Sequence, residues 1–427
     1  MDYTYINSES LLERAQQSIP LGSQTFSKSY TQYPLGVSPY FAEKADGSHL
    51  WDVDGNEYVD FINSLAAITL GYNDKDVIQA VKDQLEKGTI FSLSHKLEIE
   101  VAEKIIEMVP CAEMVRFGKN GSDATAGAIR VARAFTHRDH VAVCGYHGWQ
   151  DWYIASTPRN LGVPKATCEL THTFTYNDLV SLEKILKSHE CAAVILEPMN
   201  IQEPNPGFLE SVKQLTHKYG ALLIFDETVT GFRFSNGGAQ ELFGVTPDLA
   251  TFGKGMANGY PISAVAGKQE YMKLMEEIFF SFTFGGETLS LAAALATLTK
   301  LQKKPVIEAM RAKGEILVYK LNALIKQYEL CDLFAVSGNP VWSFFVLKES
   351  DEYDVWDMKT LYLQEMFASG ILTLTTHNMS YAHTDEDIAK LMYAYDCFFS
   401  KVQSISNTNS VKDMLGCESL QPLFKVR

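Results

Sequence analysis

The sequence predicts an α/β fold in which a mostly parallel sheet forms a large domain and a smaller domain lies towards the C-terminus. Three observations predict this class. Between about residues 61 and 300, amphipathic helical stretches alternate with short apolar runs, a pattern typical of parallel strands covered by helices on both faces. Strand-like runs return after a long helical stretch near residue 300. The 427 residues also suffice for two domains of unequal size.

The elements are predicted in chain order from this periodicity. Residues 1–60 contain an amphipathic stretch near Ser8 to Gln17, and Leu50 to Asp60 favours two short strands about a Gly55-Asn56 turn. Helices are expected at Lys75 to Glu86, Leu97 to Met108, Thr125 to Phe135, Asp178 to Lys187 and Leu209 to Tyr219. Strands are expected at His140 to Cys144, Ala192 to Glu197, Ala221 to Asp226 and Pro261 to Ala266. Beyond residue 315 we expect strands near Leu333 to Leu347 and a helix from Glu386 to Ser400.

Composition narrows the function classes. Lys and Arg total 37 against 52 Asp and Glu, and the net charge of -15 disfavours a nucleic-acid partner. The start of the chain has no basic segment followed by an apolar one, and no stretch keeps about 18 uncharged apolar residues. We therefore expect a cytoplasmic protein with no membrane partner. The seven scattered cysteines show no C-x-x-C spacing, so we expect them to be reduced and expect no metal site.

The most informative feature is a carboxylate followed along the chain by an amine. Asp226 ends the apolar run Ala221 to Phe225, and Lys254 lies between Gly253 and Gly255. A buried strand that ends in a carboxylate, with a lysine on a nearby glycine-flanked loop, supplies the two groups that pyridoxal phosphate needs from its protein. The amine binds the cofactor aldehyde, and the carboxylate keeps the ring nitrogen protonated. Alone, Lys254 could equally be a surface lysine, and Asp226 an exposed acid.

Two further segments fit the same cofactor. Gly121 and Ser122 precede a helical stretch, where free amide groups at a helix N-terminus suit a phosphate. An ordinary capped helix is the alternative. Tyr146 follows a predicted strand and could stack on a flat ring, or could simply pack in the core.

Together these segments carry a family resemblance that spans about Gly22 to Ile388. The matching segments are Trp51-Asp52-Val53-Asp54-Gly55-Asn56-Glu57-Tyr58, Met114-Val115-Arg116-Phe117, Asn120-Gly121-Ser122-Asp123-Ala124, Tyr146-His147-Gly148, Glu197-Pro198, Asp226-Glu227-Thr228-Val229-Thr230-Gly231-Phe232-Arg233, Gly253-Lys254 and Thr283-Phe284-Gly285-Gly286. The chain resembles the class III, fold type I pyridoxal phosphate enzymes, especially the glutamate-1-semialdehyde aminomutase branch.

The resemblance implies a fold and a set of roles. It implies a large domain at residues 61–315 and a small domain built from residues 1–60 and 316–427. By resemblance, Lys254 binds the cofactor covalently and moves a proton, and Asp226 pairs with the ring nitrogen. The remaining cofactor-binding residues implied are Gly121 and Ser122 at the phosphate, Tyr146 and Thr228 on the two ring faces, and Thr283 at the phosphate of a neighbouring subunit. The last role implies a homodimer with shared active sites.

Three departures from the aminomutase bear on the substrate. Lys28 stands where that enzyme has a carboxylate-binding arginine, which keeps the charge but loses the bidentate fork. The segment Ala155 to Pro164 is shorter than the aminomutase's glycine-rich gate, which favours ordinary two-substrate transamination. The stretch Leu374 to Ser380 lacks the aminomutase's glutamate. Polar residues in these regions suit a hydroxylated substrate, or merely bond to local backbone: Gln24, Ser27, Thr375, His377 and Asn378.

The expected activity is transfer of an amino group from L-glutamate, which becomes 2-oxoglutarate, to an aldehyde or ketone. The opening segment is similar to that of transaminases of surface-polysaccharide pathways that aminate the C8 aldehyde of an octulosonate sugar acid for lipopolysaccharide. Lys28 or Arg159 would bind the acid's carboxylate. The alternatives are a glutamate-1-semialdehyde aminomutase, an amino-acid racemase, and a regulatory protein that binds pyridoxal phosphate.

Overall fold

The computed structural model of the chain describes residues 3–351, 353–405 and 410–422. In chain order its strands are β1 (Ala42–Asp46), β2 (His49–Asp52), β3 (Glu57–Asp60), β4 (Met114–Gly118), β5 (His140–Cys144), β6 (Thr171–Thr173), β7 (Cys191–Leu196), β8 (Leu222–Asp226), β9 (Leu249–Phe252), β10 (Ser263–Gly267), β11 (Phe334–Asn339), β12 (Trp342–Leu347), β13 (Ile371–Leu372) and β14 (Thr376–Asn378).

The helices are α1 (Ile6–Gln16), α2 (Asn63–Ala66), α3 (Lys75–Leu85), α4 (Lys96–Met108), α5 (Gly121–Thr136), α6 (Asp151–Ile154), α7 (Lys165–Cys168), α8 (Leu179–Ser188), α9 (Phe208–Lys218), α10 (Ala239–Phe243), α11 (Gln269–Met272), α12 (Thr288–Lys303), α13 (Val306–Gln327), α14 (Val355–Ala368) and α15 (Asp385–Gln403). Short 3-10 turns lie at Pro20–Gly22, Phe26–Lys28, Tyr30–Gln32, Lys254–Ala257, Lys273–Glu276 and Val411–Met414. The backbone of α2 has positive φ throughout and is a left-handed turn. Among the described residues, no helix is both long and apolar enough to cross a membrane.

The chain divides into two compact units. The large unit contains Ala66–Thr69 and Lys75–Ile307. The small unit contains the described residues up to Leu65, the segment Leu70–Asp74 and the described residues from Glu308 onward. The sequence placed the corresponding boundaries at residues 60 and 315.

A seven-stranded sheet organises the large unit. Its order is β4-β10-β9-β8-β7-β5-β6, and β10 runs antiparallel to β9 and β4 while the strands from β9 to β6 are parallel. This confirms the expected mostly parallel sheet. The central position of β8 places Asp226, its last residue, at the carboxyl edge, where open α/β sheets bind their ligands.

Helices cover both faces of this sheet. Ile224 of β8 packs in the same apolar cluster as Ala128 of α5. Its neighbours Leu223 and Phe225 point the other way and pack with Leu182 of α8. Because side chains alternate across a strand, burial on both faces requires an unbroken apolar run, and this explains the composition of β8.

The small unit contains two further sheets, with orders β1-β2-β3-β13 and β11-β12-β14. The pairing of β2 with β3 is antiparallel and confirms the predicted hairpin. Its turn is held by the carboxylate of Asp52, which accepts hydrogen bonds from the backbone amides of Asp54 and Asn56.

Some elements differ from the sequence-based expectation. The helix expected from Thr125 begins instead at Gly121, because the side chain of Asn120 caps it and the Asp123 carboxylate accepts a hydrogen bond from the Asn120 amide. The strands β4, β6 and β9 were not predicted. Strands β6 and β9 have only three and four residues, and Arg116 interrupts the apolar run of β4, so none of them shows a clear strand pattern.

Candidate cofactor site at the carboxyl edge of the sheet

Side chains that follow several strands line one cavity of about 320 Å³ in the large unit. Tyr146 follows β5, Asp226 ends β8 and Lys254 follows β9. Six of the residues singled out from the sequence line this cavity: Gly121, Ser122, Tyr146, Asp226, Thr228 and Lys254. The fold thus brings together residues that are widely separated along the chain.

The carboxylate of Asp226 is buried and accepts hydrogen bonds at both oxygens. Its Oδ2 lies 2.8 Å from Nδ1 of His147. Its Oδ1 accepts from the amide of Thr228 at 3.1 Å, from the Thr228 hydroxyl at 2.6 Å and from the Thr251 hydroxyl at 3.1 Å. Burial opposes the charged form, but the bonds from His147 and Thr228 outweigh it, so the pKa of Asp226 lies below its ordinary value. Asp226 is therefore ionised at neutral pH.

A buried histidine, His147, bonds directly to Asp226. Its ring is completely buried, with Nδ1 at the carboxylate and Nε2 3.2 Å from the carbonyl oxygen of Cys144. A carbonyl and an ionised carboxylate can only accept, so both ring nitrogens must donate. This arrangement predicts a doubly protonated ring. His147 lies in a segment that carries the family resemblance, but the sequence implied no role for it.

The N-terminus of α5 is suited to an anion. Asn120 caps this 16-residue helix by accepting from the Asp123 amide. Within the described residues, no acceptor engages the amides of Gly121 and Ser122, the first two of the helix. These amides and the helix dipole together favour a bound phosphate. The cap is confirmed, and phosphate binding at this segment stays a prediction with which the cap is compatible.

Two glycines pack closely against side chains at the N-terminus of α5. A Cβ atom on Gly148 would lie 2.2 Å from Oγ of Ser122, and the φ of Gly148 is +103°. A Cβ atom on Gly121 would lie 3.0 Å from Cγ2 of Thr228. Since any side chain at position 148 would collide with Ser122, glycine is required there.

Lys254 occupies a strained backbone position. Its φ of 42° lies in the left-handed region, which costs a residue other than glycine roughly 1–3 kcal/mol. It opens the turn Lys254–Ala257, and a Cβ atom on Gly255 in that turn would lie only 2.4 Å from Oγ1 of Thr69. Tight packing against Thr69 thus holds the turn in place and fixes the backbone position of Lys254.

Tyr146 is anchored through its backbone. Its amide donates to Oε2 of Glu197 at 3.0 Å, and its ring packs edge-on against Tyr153 with centroids 5.7 Å apart. Glu197 also lines the cavity although it is only 4% exposed. Glu197 lies in a segment that carries the family resemblance, but the sequence implied no role for it.

These residues fit pyridoxal phosphate. The helix N-terminus at Gly121 and Ser122 matches a phosphate, the ionised Asp226 matches a ring nitrogen that must stay protonated, and Lys254 supplies the amine. All of them line the same cavity.

The other residues singled out from the sequence lie elsewhere. Thr283 belongs to the large unit and lines a separate surface cavity. Arg159 is exposed on the segment after α6, and Lys28 is exposed in the small unit. None of these three is among the described residues that line the cofactor cavity.

The expected substrate roles of His377 and Asn378 conflict with their bonding inside the small unit. His377 is fully buried, and its ring nitrogens lie 3.0 Å from Ser343 Oγ and 2.8 Å from the Tyr395 hydroxyl. Burial, reinforced by His383, lowers the pKa of His377 to about 3, so its ring is neutral. The side-chain amide of Asn378 donates to the backbone oxygen of Ile62. Both residues therefore stabilise the small unit, which is the alternative that the sequence left open.

Several known proteins are similar to this chain over most of its length. Residues 32–392 match the family model described as aminotransferase class-III. A 3-aminobutyryl-CoA aminotransferase from Cloacimonas acidaminovorans is 38% identical over 90% of this chain and 94% of its own. A glutamate-1-semialdehyde 2,1-aminomutase from Persephonella marina is 33% identical over 92% of this chain and 98% of its own. The FumI protein of Sphingopyxis sp. MTA144, solved in a pyridoxal phosphate form, superposes with a TM-score of 0.86 at 29% identity, covering 93% of this chain and 97% of its own.

Replacing His147 tests the buried ion pair. His147→Gln should lower the free energy of unfolding by roughly 3–5 kcal/mol, because it leaves Asp226 buried without its cation. The change is measured by denaturant unfolding at neutral pH. His217→Gln is the matched control, since His217 also lies 2.8 Å from an aspartate, Asp248, but is 43% exposed. The His217→Gln substitution should lower the free energy of unfolding by roughly 1 kcal/mol or less. Equal losses of unfolding free energy in the two variants would contradict a buried ion pair between His147 and Asp226.

Replacing Thr228 tests the hydroxyl contact to Asp226. Thr228→Val keeps the branched shape but removes the 2.6 Å hydrogen bond, so it should destabilise the fold by about 1.5–3 kcal/mol at pH 7. Thr228→Ser retains the hydroxyl and should preserve the bond. The depressed pKa of Asp226 contributes stability that is present above its unfolded pKa and is lost as pH falls through its folded pKa. The difference between the variants, followed by unfolding from pH 7 downwards, should therefore shrink in acid. A difference that is independent of pH would contradict this role.

Proposed function

This chain belongs to the class-III aminotransferase family and is a pyridoxal-phosphate-dependent transaminase, and we propose that L-glutamate is its amino donor and an aldehyde or ketone its acceptor. The observation that carries the proposal is the single cavity in which Lys254, the ionised Asp226 and the N-terminus of α5 meet. A regulatory protein would need the cofactor to bind but would not need a carboxylate that keeps the ring nitrogen protonated for electron withdrawal.

We assign the residues separate tasks. Gly121 and Ser122 bind the phosphate through their amides, and Tyr146 packs on the ring. Asp226 holds the proton on the ring nitrogen, and in that state bound pyridoxal phosphate withdraws electrons from the substrate carbon. His147 acts through Asp226 and is a positioning residue, because it keeps the carboxylate charged and oriented.

Lys254 is assigned both the covalent link and the proton transfer at the substrate carbon. Among the described residues, two lysines line the cavity, but Nζ of Lys119 lies 3.1 Å from Oε2 of Glu287 and is committed to that ion pair. Lys254 follows β9 directly, and its backbone is fixed by the packing of Gly255. A base that moves a proton must start from a defined position, and Lys254 meets that requirement.

Two acceptor classes have specific support. The opening segment from Gly22 to Ser29 favours an octulosonate sugar acid aminated at its C8 aldehyde, with exposed Lys28 or Arg159 as carboxylate ligand. The 38% identity to a 3-aminobutyryl-CoA aminotransferase favours instead a 3-oxoacyl thioester, the keto counterpart of that relative's named substrate. The two differ in the position of the carbonyl and in the presence of a thioester, so they can be compared directly as acceptors.

We further propose that the working enzyme is a homodimer. Thr283 lies beside large apolar side chains that are exposed in the single chain, including Phe284 at 58% and Leu93 at 84%. Apolar patches of this kind mark interaction surfaces. A second copy of the chain would cover this patch and place Thr283 at its partner's cofactor.

The donor is tested by a single-turnover experiment. The purified enzyme, loaded with pyridoxal phosphate and mixed with L-glutamate, should convert its cofactor from the aldehyde to the amine form, seen as a loss of the visible absorbance band and formation of one 2-oxoglutarate per site. Lys254→Ala should lose the absorbance band of the covalently bound cofactor and slow the conversion by several orders of magnitude. The substitution removes both the covalent link to the cofactor and the base that transfers the proton. No conversion by glutamate would exclude it as donor.

The acceptor is tested in the second half of the same experiment. The amine form is mixed with an octulosonate aldehyde, a 3-oxoacyl-CoA or no acceptor, and return of the aldehyde form is followed. If only one of the two acceptors restores the aldehyde form of the cofactor, the substrate belongs to that acceptor's chemical class. Formation of 5-aminolevulinate from glutamate-1-semialdehyde without any added donor would instead support an aminomutase.

The dimer is tested by mass in solution. The wild-type chain should have twice its 47.7 kDa mass by light scattering. Leu93→Asp should shift it towards the monomer, because a charge in a buried contact is costly. Val180→Asp is the control, since Val180 is similarly exposed at 79% but lies on α8. A wild-type monomer would contradict the proposal.

A further inference from the structure

Three histidines of the large unit converge at a place distinct from the cofactor cavity. His140 opens β5, whose opposite end leads to Tyr146, while His172 lies in the edge strand β6 and His189 lies between α8 and β7. One ring nitrogen from each of the three lies within 4.8 Å of the other two. All three side chains are half-buried.

The strand register explains the convergence. His172 pairs with Ala142 of β5, and His140 pairs with Cys191 at the start of β7. Side chains alternate across a strand, so His140, two residues before Ala142, points to the same face as His172. His189 stands two residues before Cys191 and therefore enters the cluster from the segment before β7.

The rings are in direct contact. Nδ1 of His140 lies 3.0 Å from Nε2 of His172, and the rings of His172 and His189 stack with centroids 3.9 Å apart and an interplanar angle of 14°. A hydrogen bond between two ring nitrogens requires one of them to be an unprotonated acceptor. At least one lone pair is thus directed into the cluster, which is the form in which imidazole binds metals.

We propose that His140, His172 and His189 bind one divalent transition-metal ion, with Zn²⁺ as the preferred occupant. Imidazole nitrogens bind zinc at about 2.0–2.1 Å, which in a tetrahedron places the nitrogens roughly 3.4 Å from one another. The three nitrogens lie within 4.8 Å of one another, and one pair is 3.0 Å apart, so small side-chain rotations reach that value. Three histidines leave the fourth position to water, a ligand set that zinc accepts.

The ion would join the edge strand β6 to the interior strand β5 and to the segment before β7. The edge strand β6 has only three residues and pairs only with β5 among the described strands. A metal bound through β5, β6 and the segment before β7 would fasten this edge of the sheet. The expectation of no metal site rested on the spacing of cysteines, and these histidines lie too far apart in sequence to form a recognisable motif.

The proposal is tested by zinc content and thermal stability. The holoenzyme is stripped with a chelator, equilibrated with micromolar Zn²⁺, freed of excess and analysed by elemental mass spectrometry. The wild type should retain one zinc per chain and gain in Tm on zinc addition, because the ion binds the folded state. His172→Gln should weaken zinc binding at least about tenfold, since even the loss of a supporting residue costs about 10- to 100-fold.

A neighbouring histidine provides the control. His137 is exposed and caps α5 with a left-handed φ of 56°, a conformation that asparagine also adopts readily. His137→Asn should bind zinc like the wild type. Should His172→Gln fail to fold, as judged by the cofactor absorbance, His189→Gln replaces it. No zinc in the wild type, or equal zinc in the wild type and the cluster variants, would overturn the proposal.

Discussion

The buried ion pair between Asp226 and His147 is the constraint on which the large unit is organised. A carboxylate at the end of the central strand would be costly to bury without a cation and hydrogen bonds. Strand order supplies both. The loop after β5 brings His147, the turn after β8 brings Thr228, and β9 brings Thr251 alongside. The cofactor cavity is therefore a consequence of how the fold satisfies one buried charge, which it leaves ionised and oriented for chemistry.

Backbone geometry provides the second layer of organisation. Gly148 and Ser122 approach so closely that no side chain fits between them, and Lys254 adopts a left-handed φ that the packing of Gly255 maintains. Such strain persists only where surrounding structure over-determines it. The strained and closely packed positions coincide with the residues assigned to the cofactor. Binding and catalysis require these residues to be positioned precisely.

Sequence reasoning identified the parts of this site that are local. The unbroken apolar run before Asp226 indicated a strand buried on both faces. The residues around Ser122 indicated the start of a helix. It could not identify His147 as the partner of Asp226, because that contact depends on the order of strands in the sheet. For the same reason His377 was assigned to a substrate, although its ring is enclosed by Ser343 and Tyr395. The three clustered histidines also meet only through strand register.

The central claim is that His147 is a cation held by an ionised Asp226, and nuclear magnetic resonance on enzyme labelled with ¹⁵N-histidine tests it most directly. The His147 signals, assigned by their loss in His147→Gln, should show a proton on both ring nitrogens at neutral pH, with the Nδ1 proton shifted far downfield by its bond to the carboxylate. An unprotonated Nδ1 or Nε2 in the wild-type enzyme would contradict the account.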